Sequence, residues 1–181
     1  MEAGNDWLAA ECEHMIGVTY YQQEDYEMAQ DYYGKAIESF EQINNPDFVA
    51  IVQRDLGLVK YKLKDFVAAE DELQQSISGL QKSQMKGQLG MSQSKLGLVQ
   101  AAEGKSDEAL QTIQEAIKLP EQTEDKFFLS TAYLDLAKVY NQIGKTEDAK
   151  AAAQKSQKIL DGFSKPEQFV QRRKELQQFI S

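Results

Sequence analysis

The chain has 181 residues, 41% of them apolar and 27% charged, enough for one ordinary globular domain. Its net charge of −9 argues against a nucleic-acid partner, because phosphate binding needs clustered Lys and Arg. A single cysteine, Cys12, excludes an intrachain disulfide framework, and no apolar run approaches the roughly 20 residues of a membrane span.

The acidic start, Met1 to Asp6, lacks the basic and apolar regions of a secretory signal, so a cytoplasmic setting is expected. Self-similarity then organises the chain. Ile16-Gly17, Leu56-Gly57, Leu96-Gly97 and Leu136-Ala137 recur at intervals of 40 residues. Three further columns keep the same register: Ala29, Ala69, Ala109 and Ala149; Tyr33, Leu73, Ile113 and Ala153; Ala36, Ser76, Ala116 and Ser156. Repeats are therefore expected at about residues 6–45, 46–85, 86–125 and 126–165. Each reads as two helices, because apolar residues step by three and four.

In the first copy, Glu24-Asp25 places acidic residues in the first turn of the second helix, where they complement its dipole. The second copy opens with Asn45 as N-cap and Pro46 at the first helical position. Its first helix carries Phe48, Val49, Val52, Leu56 and Val59; a break falls near Lys64-Asp65; its second helix carries Phe66, Ala69, Leu73 and Ile77. In the third and fourth copies Gly104 and Gly144 mark turns, and Ser106 and Thr146 are expected N-caps ahead of acidic residues. Pro166, Phe169 and Leu176 continue the register past the fourth copy, but the glycine column then reads Gln177. Residues 166–181 are therefore expected to form a lone helix that caps the apolar end of the stack.

The small columns have a mechanical meaning. A glycine inside a helix costs roughly 1 kcal/mol against alanine, so three in register predict close packing of first helix on second. Cys12 shares a column with Val52, Ser92 and Ala132 and is expected to be packed. Trp7 is expected to anchor the end of the stack, and Arg172-Arg173-Lys174 to lie on a solvated helix face.

The register resembles that of the tetratricopeptide repeat, whose pattern is Leu-Gly-x-x-Tyr, then Ala, a bulky apolar residue and a small one. Ile16-Gly17-Val18-Thr19-Tyr20 with Tyr26, Ala29, Tyr33 and Ala36 matches best, with Leu136-Ala137-Lys138-Val139-Tyr140, Gly144 and Ala149 beside it. The resemblance covers about residues 5–163. Glu13, Gln53, Gln93 and Tyr133 stand where the family's Trp is usual, and Ala153 where a Phe is usual. The repeat of 40 residues exceeds the common length of about 34. In length it is similar to the repeats of some spindle-orientation adaptors and bacterial peptide-pheromone receptors. The resemblance implies an all-α fold, a right-handed α-solenoid of four antiparallel helix pairs plus a C-terminal capping helix, in one domain over residues 1–181.

Residues for catalysis are sparse. His14 is the single histidine, so a triad would have to be built on it, and no Cys/His cluster has metal-ligand spacing. Gly144-Lys145-Thr146 lacks the earlier glycine of a phosphate loop, since Val139 stands there. No catalytic residue, metal or cofactor is expected.

In the family, first helices line the concave face. The corresponding positions here are Glu11, His14, Val18 and Tyr21; Ile51, Arg54, Leu58 and Tyr61; Met91, Ser94, Leu98 and Ala101; Thr131, Leu134, Lys138 and Asn141. The column that carries Asn in chaperone-tail-binding members reads Val18, Leu58, Leu98 and Lys138, so that carboxylate clamp is absent. The expected partner groove comprises Val18, Tyr21, Ile51, Arg54, Leu58, Tyr61, Lys62, Met91, Leu98 and Lys138: an apolar centre with a slightly basic rim. The expected function is a non-catalytic scaffold or adaptor that binds an apolar or amphipathic segment of another protein or peptide, with acidic flanks on that segment an option. The alternatives are a peptide-sensing regulatory domain of a larger regulator and a self-associating structural protein. Neither nucleic acid nor membrane is an expected partner.

Overall fold

The structure is a computed structural model that describes residues 3–122, 125–163 and 169–180. It is all-α and comprises two compact units, Met1–Met85 and Lys86–Ser181. Unit 1 contains α1 (Ala3–Gln22), α2 (Tyr26–Gln42), α3 (Pro46–Lys62) and α4 (Phe66–Leu80). Unit 2 contains α5 (Lys86–Ala102), α6 (Ser106–Gln122), α7 (Lys126–Gln142), α8 (Thr146–Asp161) and α9 (Val170–Ile180). Within each unit consecutive helices pair antiparallel, α1 with α2, α3 with α4, α5 with α6 and α7 with α8, and α9 packs on α8 as a cap.

The glycine column sets the approach of each pair. A Cβ added at Gly17 would stand 2.6 Å from the Tyr33 ring. At Gly57 it would stand 3.0 Å from Leu73 Cγ, and at Gly97 3.2 Å from both the Ala109 carbonyl and Ile113 Cβ. These partners are the alanine and bulky columns of the second helices, so the small residues of one helix receive the knobs of the other. Ala29, Tyr33, Ala36, Phe40, Val52 and Val59 form the centre of unit 1. Ala109, Ile113, Ala137, Val139, Ala153, Leu160 and Leu176 form that of unit 2.

The turn inside each pair places one residue in the left-handed region, again at intervals of 40: Glu24 (φ 62°), Lys64 (φ 63°), Gly104 (φ 83°) and Gly144 (φ 78°). Only the last two are glycines, which adopt this conformation without steric cost. In unit 1 the residue after each of these turns caps the second helix. Asp25 accepts from the Met28 amide at 3.2 Å and Asp65 from Ala68 at 3.2 Å. Asn45 and Asp125 do the same for α3 and α7, with Pro46 at the start of α3 as expected.

Several expectations change here. Ser106 and Thr146 are the first helical residues, not N-caps, and Lys145 at the cap of α8 makes no side-chain capping bond. The acidic pairs Asp107-Glu108 and Glu147-Asp148 serve those helix starts through the dipole instead. Asp25, expected inside α2, is its cap. Cys12 is exposed, because its column is covered in α3 and α7 by α2 and α6, whereas no described helix packs on that side of α1. For the same reason Ile16, in the Leu56 and Leu136 column, is 39% exposed. Trp7 packs edge-on against Phe48 with ring centroids 5.8 Å apart, tying α1 to α3. The capping helix begins at Val170 rather than at 166, and Pro166 lies outside the described residues.

Candidate functional site

The ten expected groove residues divide between the two units. In unit 1, Val18, Tyr21, Leu58 and Tyr61 are half-buried, Ile51 and Arg54 are buried, and Lys62 is exposed. Tyr21 lies against Tyr26 and Tyr61 against Phe66, with centroids 5.9 and 6.0 Å apart, so each tyrosine closes the turn of its own repeat. In unit 2, Met91 and Lys138 are half-buried, whereas Leu98 belongs to the buried core.

Between these positions runs a set of charged residues that the sequence reading missed. The column one position N-terminal to Ile16, Leu56, Leu96 and Leu136 reads Met15, Asp55, Lys95 and Asp135, and Glu175 continues it. In unit 1, Asp55 of α3 takes His14 Nε2 of α1 at 2.8 Å through Oδ2, and its own neighbour Arg54 at 3.0 Å through Oδ1. Burial pushes the Asp55 carboxyl up, but Arg54, then the His14 hydrogen bond and charge, more than offset this and hold it below the ordinary carboxylate value. Above it lies Tyr33, its hydroxyl pushed well up by burial and then by Asp55 and Tyr21. His14 Nδ1 and Glu11 Oε2 face each other at 4.0 Å; both atoms are buried and neither makes a hydrogen bond.

Unit 2 repeats the device with different side chains. Asp135 of α7 accepts from Lys95 Nζ at 2.6 Å and Ser94 Oγ at 2.8 Å, both on α5. Lys138 stands 3.9 Å from its other oxygen, which is buried without a hydrogen bond, and also pairs with Glu175 of α9 at 2.8 Å. Burial raises the Asp135 carboxyl, while Lys95 and Lys138, with the Lys95 and Ser94 hydrogen bonds, bring it below the ordinary value. Each unit thus joins successive first helices through one carboxylate, partly buried at Asp55 and fully buried at Asp135. The expected basic rim is largely neutralised as a result: Arg54 and Lys138 are engaged by carboxylates, and Lys62 is the exposed one of the three.

The run Arg172-Arg173-Lys174 is not a uniformly solvated face. Arg172 donates to Ser130 Oγ at 2.7 Å and lies over the Phe127 and Phe169 rings. Burial lowers its pKa against the opposing pull of Asp135 and Glu175. Arg173 pairs with Asp161 at 2.7 Å, so both arginines fasten α9 to the repeats.

Two open cavities lie away from the groove positions. One of about 480 Å³ in unit 1 is lined by Glu41, Asn44, Asn45, Pro46, Val49, Ala50, Gln53 and Gly79. The other, about 520 Å³ in unit 2, is lined by Phe127, Phe163, Phe169, Gln171, Arg172 and Glu175. Among the described residues no group of three or more His, Cys, Asp or Glu is placed to hold a metal ion, and no helix is long and apolar enough to cross a membrane.

A family model described as tetratricopeptide repeat matches residues 4–82 and 88–161. No curated protein matches the sequence. Among solved structures, the chain is similar to a Rap protein complexed with Competence and Sporulation Factor (TM-score 0.73, 17% identity, 82% of this chain and 42% of that one). It is likewise similar to the Rap conjugation gene regulator of the plasmid pLS20 in complex with the Phr* peptide (0.70, 18%, 81% and 41%). A third is BtubC (BKLC) from P. vanneervenii (0.66, 17%, 85% and 65%). At these identities the likeness is one of fold. The chain spans about two fifths of the length of the Rap proteins and 65% of that of BtubC.

Proposed function

The chain belongs to the tetratricopeptide-repeat family, and on that premise we propose that it is a peptide-sensing repeat region of a regulator, acting through the first-helix faces of its two units. The observation that carries this is the carboxylate that bridges first helices in each unit. Asp55 and Asp135 link successive first helices by hydrogen bonds that a ligand's own N–H or ammonium groups can compete for, and His14 Nδ1, Glu11 Oε2 and Asp135 Oδ1 are buried polar atoms still without a hydrogen bond. A buried polar atom left unsatisfied costs about 1–3 kcal/mol, so a peptide that satisfies it gains affinity there and at the same time alters how one first helix is held to the next. In unit 1 apolar side chains of the peptide would lie on Val18 and Leu58, and in unit 2 on Met91, each of them half-buried in its own unit.

Two of the similar structures are complexes with a named peptide or factor, which supports a peptide over a folded domain as ligand. A scaffold or adaptor that binds without rearrangement uses the same surface. The two readings part in what the ligand does to α3 and α7. A cytoplasmic setting belongs to both, and self-association is not part of either.

The test is to pan a random heptapeptide display library against wild type and against Leu58→Asp and Met91→Asp variants. A convergent motif is expected on wild type, lost on at least one variant, and its synthetic peptide should change backbone hydrogen exchange in α3 or α7. Exchange unchanged on binding would leave a static scaffold. No convergent motif, or one retained equally by both variants, would overturn the proposal.

A further inference from the structure

Helix α1 carries an apolar stripe that no described helix covers. Leu8 is 54% exposed, Met15 51% and Ile16 39%, with exposed Ala9, Cys12 and Thr19 on the same face. These spacings of three and four residues place them along one side of the helix. The repeat register shows what such a stripe is built for. Cys12, Ile16 and Thr19 occupy the columns of Val52, Leu56 and Val59 in α3, and of Ala132, Leu136 and Val139 in α7. All six of those residues are buried. In unit 1 they share a core cluster with Ala29, Tyr33 and Phe40 of α2, and in unit 2 with Ala109, Ile113 and Ile117 of α6. The face that α1 exposes is therefore the face on which α3 and α7 each receive an amphipathic helix.

We propose that the Leu8–Thr19 stripe of α1 is a docking surface for an amphipathic helix of another protein, one with small and bulky apolar residues at three- and four-residue spacing and basic residues on its flanks. Charge selects this occupant. Between Ala3 and Gln22 the acidic residues are Asp6, Glu11 and Glu13, with neither Lys nor Arg. The stripe is uncharged along its centre and acidic at its margins. Two copies of α1 face to face would set acid against acid, whereas Lys or Arg beside an apolar seam meets the part-exposed carboxylates of Glu11 and Glu13, although Glu13 also accepts from Ser39 of α2 and one Glu11 oxygen is turned to His14. The stripe differs from the peptide face proposed above, because Asp55 and the half-buried Val18 and Leu58 do not belong to it; Glu11 borders both.

The experiment uses the full chain and a stapled helical peptide with the α6 sequence, Ser106–Gln122, in which Asp107, Glu108 and Glu115 are each replaced by Lys. Fluorescence anisotropy should show saturable binding in the micromolar range, and the bound peptide should slow alkylation of Cys12 by iodoacetamide. Leu8→Glu or Met15→Glu should weaken binding roughly tenfold, about 1.4 kcal/mol, and the unsubstituted acidic α6 peptide should bind more weakly still. Both positions are more than half exposed, so helicity by circular dichroism should be unchanged. Protection of Cys12 is read on wild type and decides the matter even where a variant misfolds. Absence of saturable binding, or binding with no protection of Cys12, would overturn the proposal. So would a wild-type dimer in sedimentation that Met15→Glu dissolves, since the occupant would then be a second copy.

Discussion

Lys95 Nζ and Asp135 Oδ2 meet at 2.6 Å across 40 positions, one full repeat, so the ion pair joins equivalent turns of α5 and α7. The carboxylate side chain is 1% exposed and the ammonium side chain 13%. Removing one partner of such a pair leaves the other poorly solvated. Asp135→Ala should cost about 3 kcal/mol at neutral pH, measured by chemical denaturation, and Asp135→Asn less, because Asn still accepts from Ser94.

The same carboxylates set the acid stability. The folded pKa values of Asp55 and Asp135 lie below the ordinary value, so the unfolded chain binds protons first as pH falls. Their contribution is fully present above the unfolded value of about 3.9 and is lost as pH drops through the folded values. The denaturation midpoint should therefore fall below about pH 4. The deficit of Asp135→Asn relative to wild type should shrink over the same range. A constant deficit down to the acid limit would show that Asp135 stabilises only by packing.

Glycines at contact and non-contact positions should respond with opposite sign. A Cβ at Gly34 in α2 meets nothing within 4 Å, so Gly34→Ala should stabilise by roughly 0.5–1 kcal/mol. Ala109 is fully buried, and its carbonyl lies under Gly97. Ala109→Leu should cost about 1–3 kcal/mol through overpacking. An unchanged melting temperature for Ala109→Leu would contradict the close packing of α5 on α6.

The turn residues offer a gain in stability. Lys64 and Glu24 hold φ values of 63° and 62° in the column where the later repeats have Gly104 and Gly144. A side chain in that conformation costs roughly 1–2 kcal/mol, partly offset by the flexibility glycine adds to the unfolded chain. Lys64→Gly should therefore raise stability by a net of about 0.5 kcal/mol, whereas Lys64→Val should lower it. Thermal unfolding of the pair checks the sign.

The capping helix is fastened by few residues, which makes its contribution measurable. Leu176 is fully buried on α9, and Leu176→Ala should cost about 2–5 kcal/mol. Arg172→Ala removes the hydrogen bond to Ser130 and the contact with the Phe127 ring, and should cost roughly 1–2 kcal/mol. A chain ending at residue 163 should be less stable or self-associate. Full stability as a monomer would show that α9 does not cap the repeats.

The helix pairs were legible because their signals are local and recur. Asn45-Pro46, Gly104, Gly144 and the columns headed by Gly17 and Ala29 each restrict the backbone or the packing distance, whatever lies elsewhere in the chain. Each departure from the expectation has its own physical reason. Thr146 and Ser106 were placed one residue outside their helices because the left-handed residue before them, not the hydroxyl, sets where the helix starts. Arg172 is expected in solvent from the sequence because Ser130 and Phe127, which hold it, lie 42 and 45 positions away. Asp55 and Asp135 were overlooked because acids elsewhere in the chain cluster at helix starts, yet their common column with Lys95 and Glu175 was visible in the register.

What the sequence determined by itself is the repeat: a small residue facing an alanine, at an interval of 40, is enough to specify paired helices, because only close helix–helix packing rewards glycine in a helix interior. What only the tertiary structure decided is which member of each column is covered. Cys12 and Ile16 hold the same register as Val52 and Leu56 but are exposed, and Leu98 holds the register of half-buried Val18 and Leu58 but is buried. Periodicity fixes the direction in which a side chain points. Burial depends on whether another helix lies in that direction, and that is a property of the packed chain rather than of any segment.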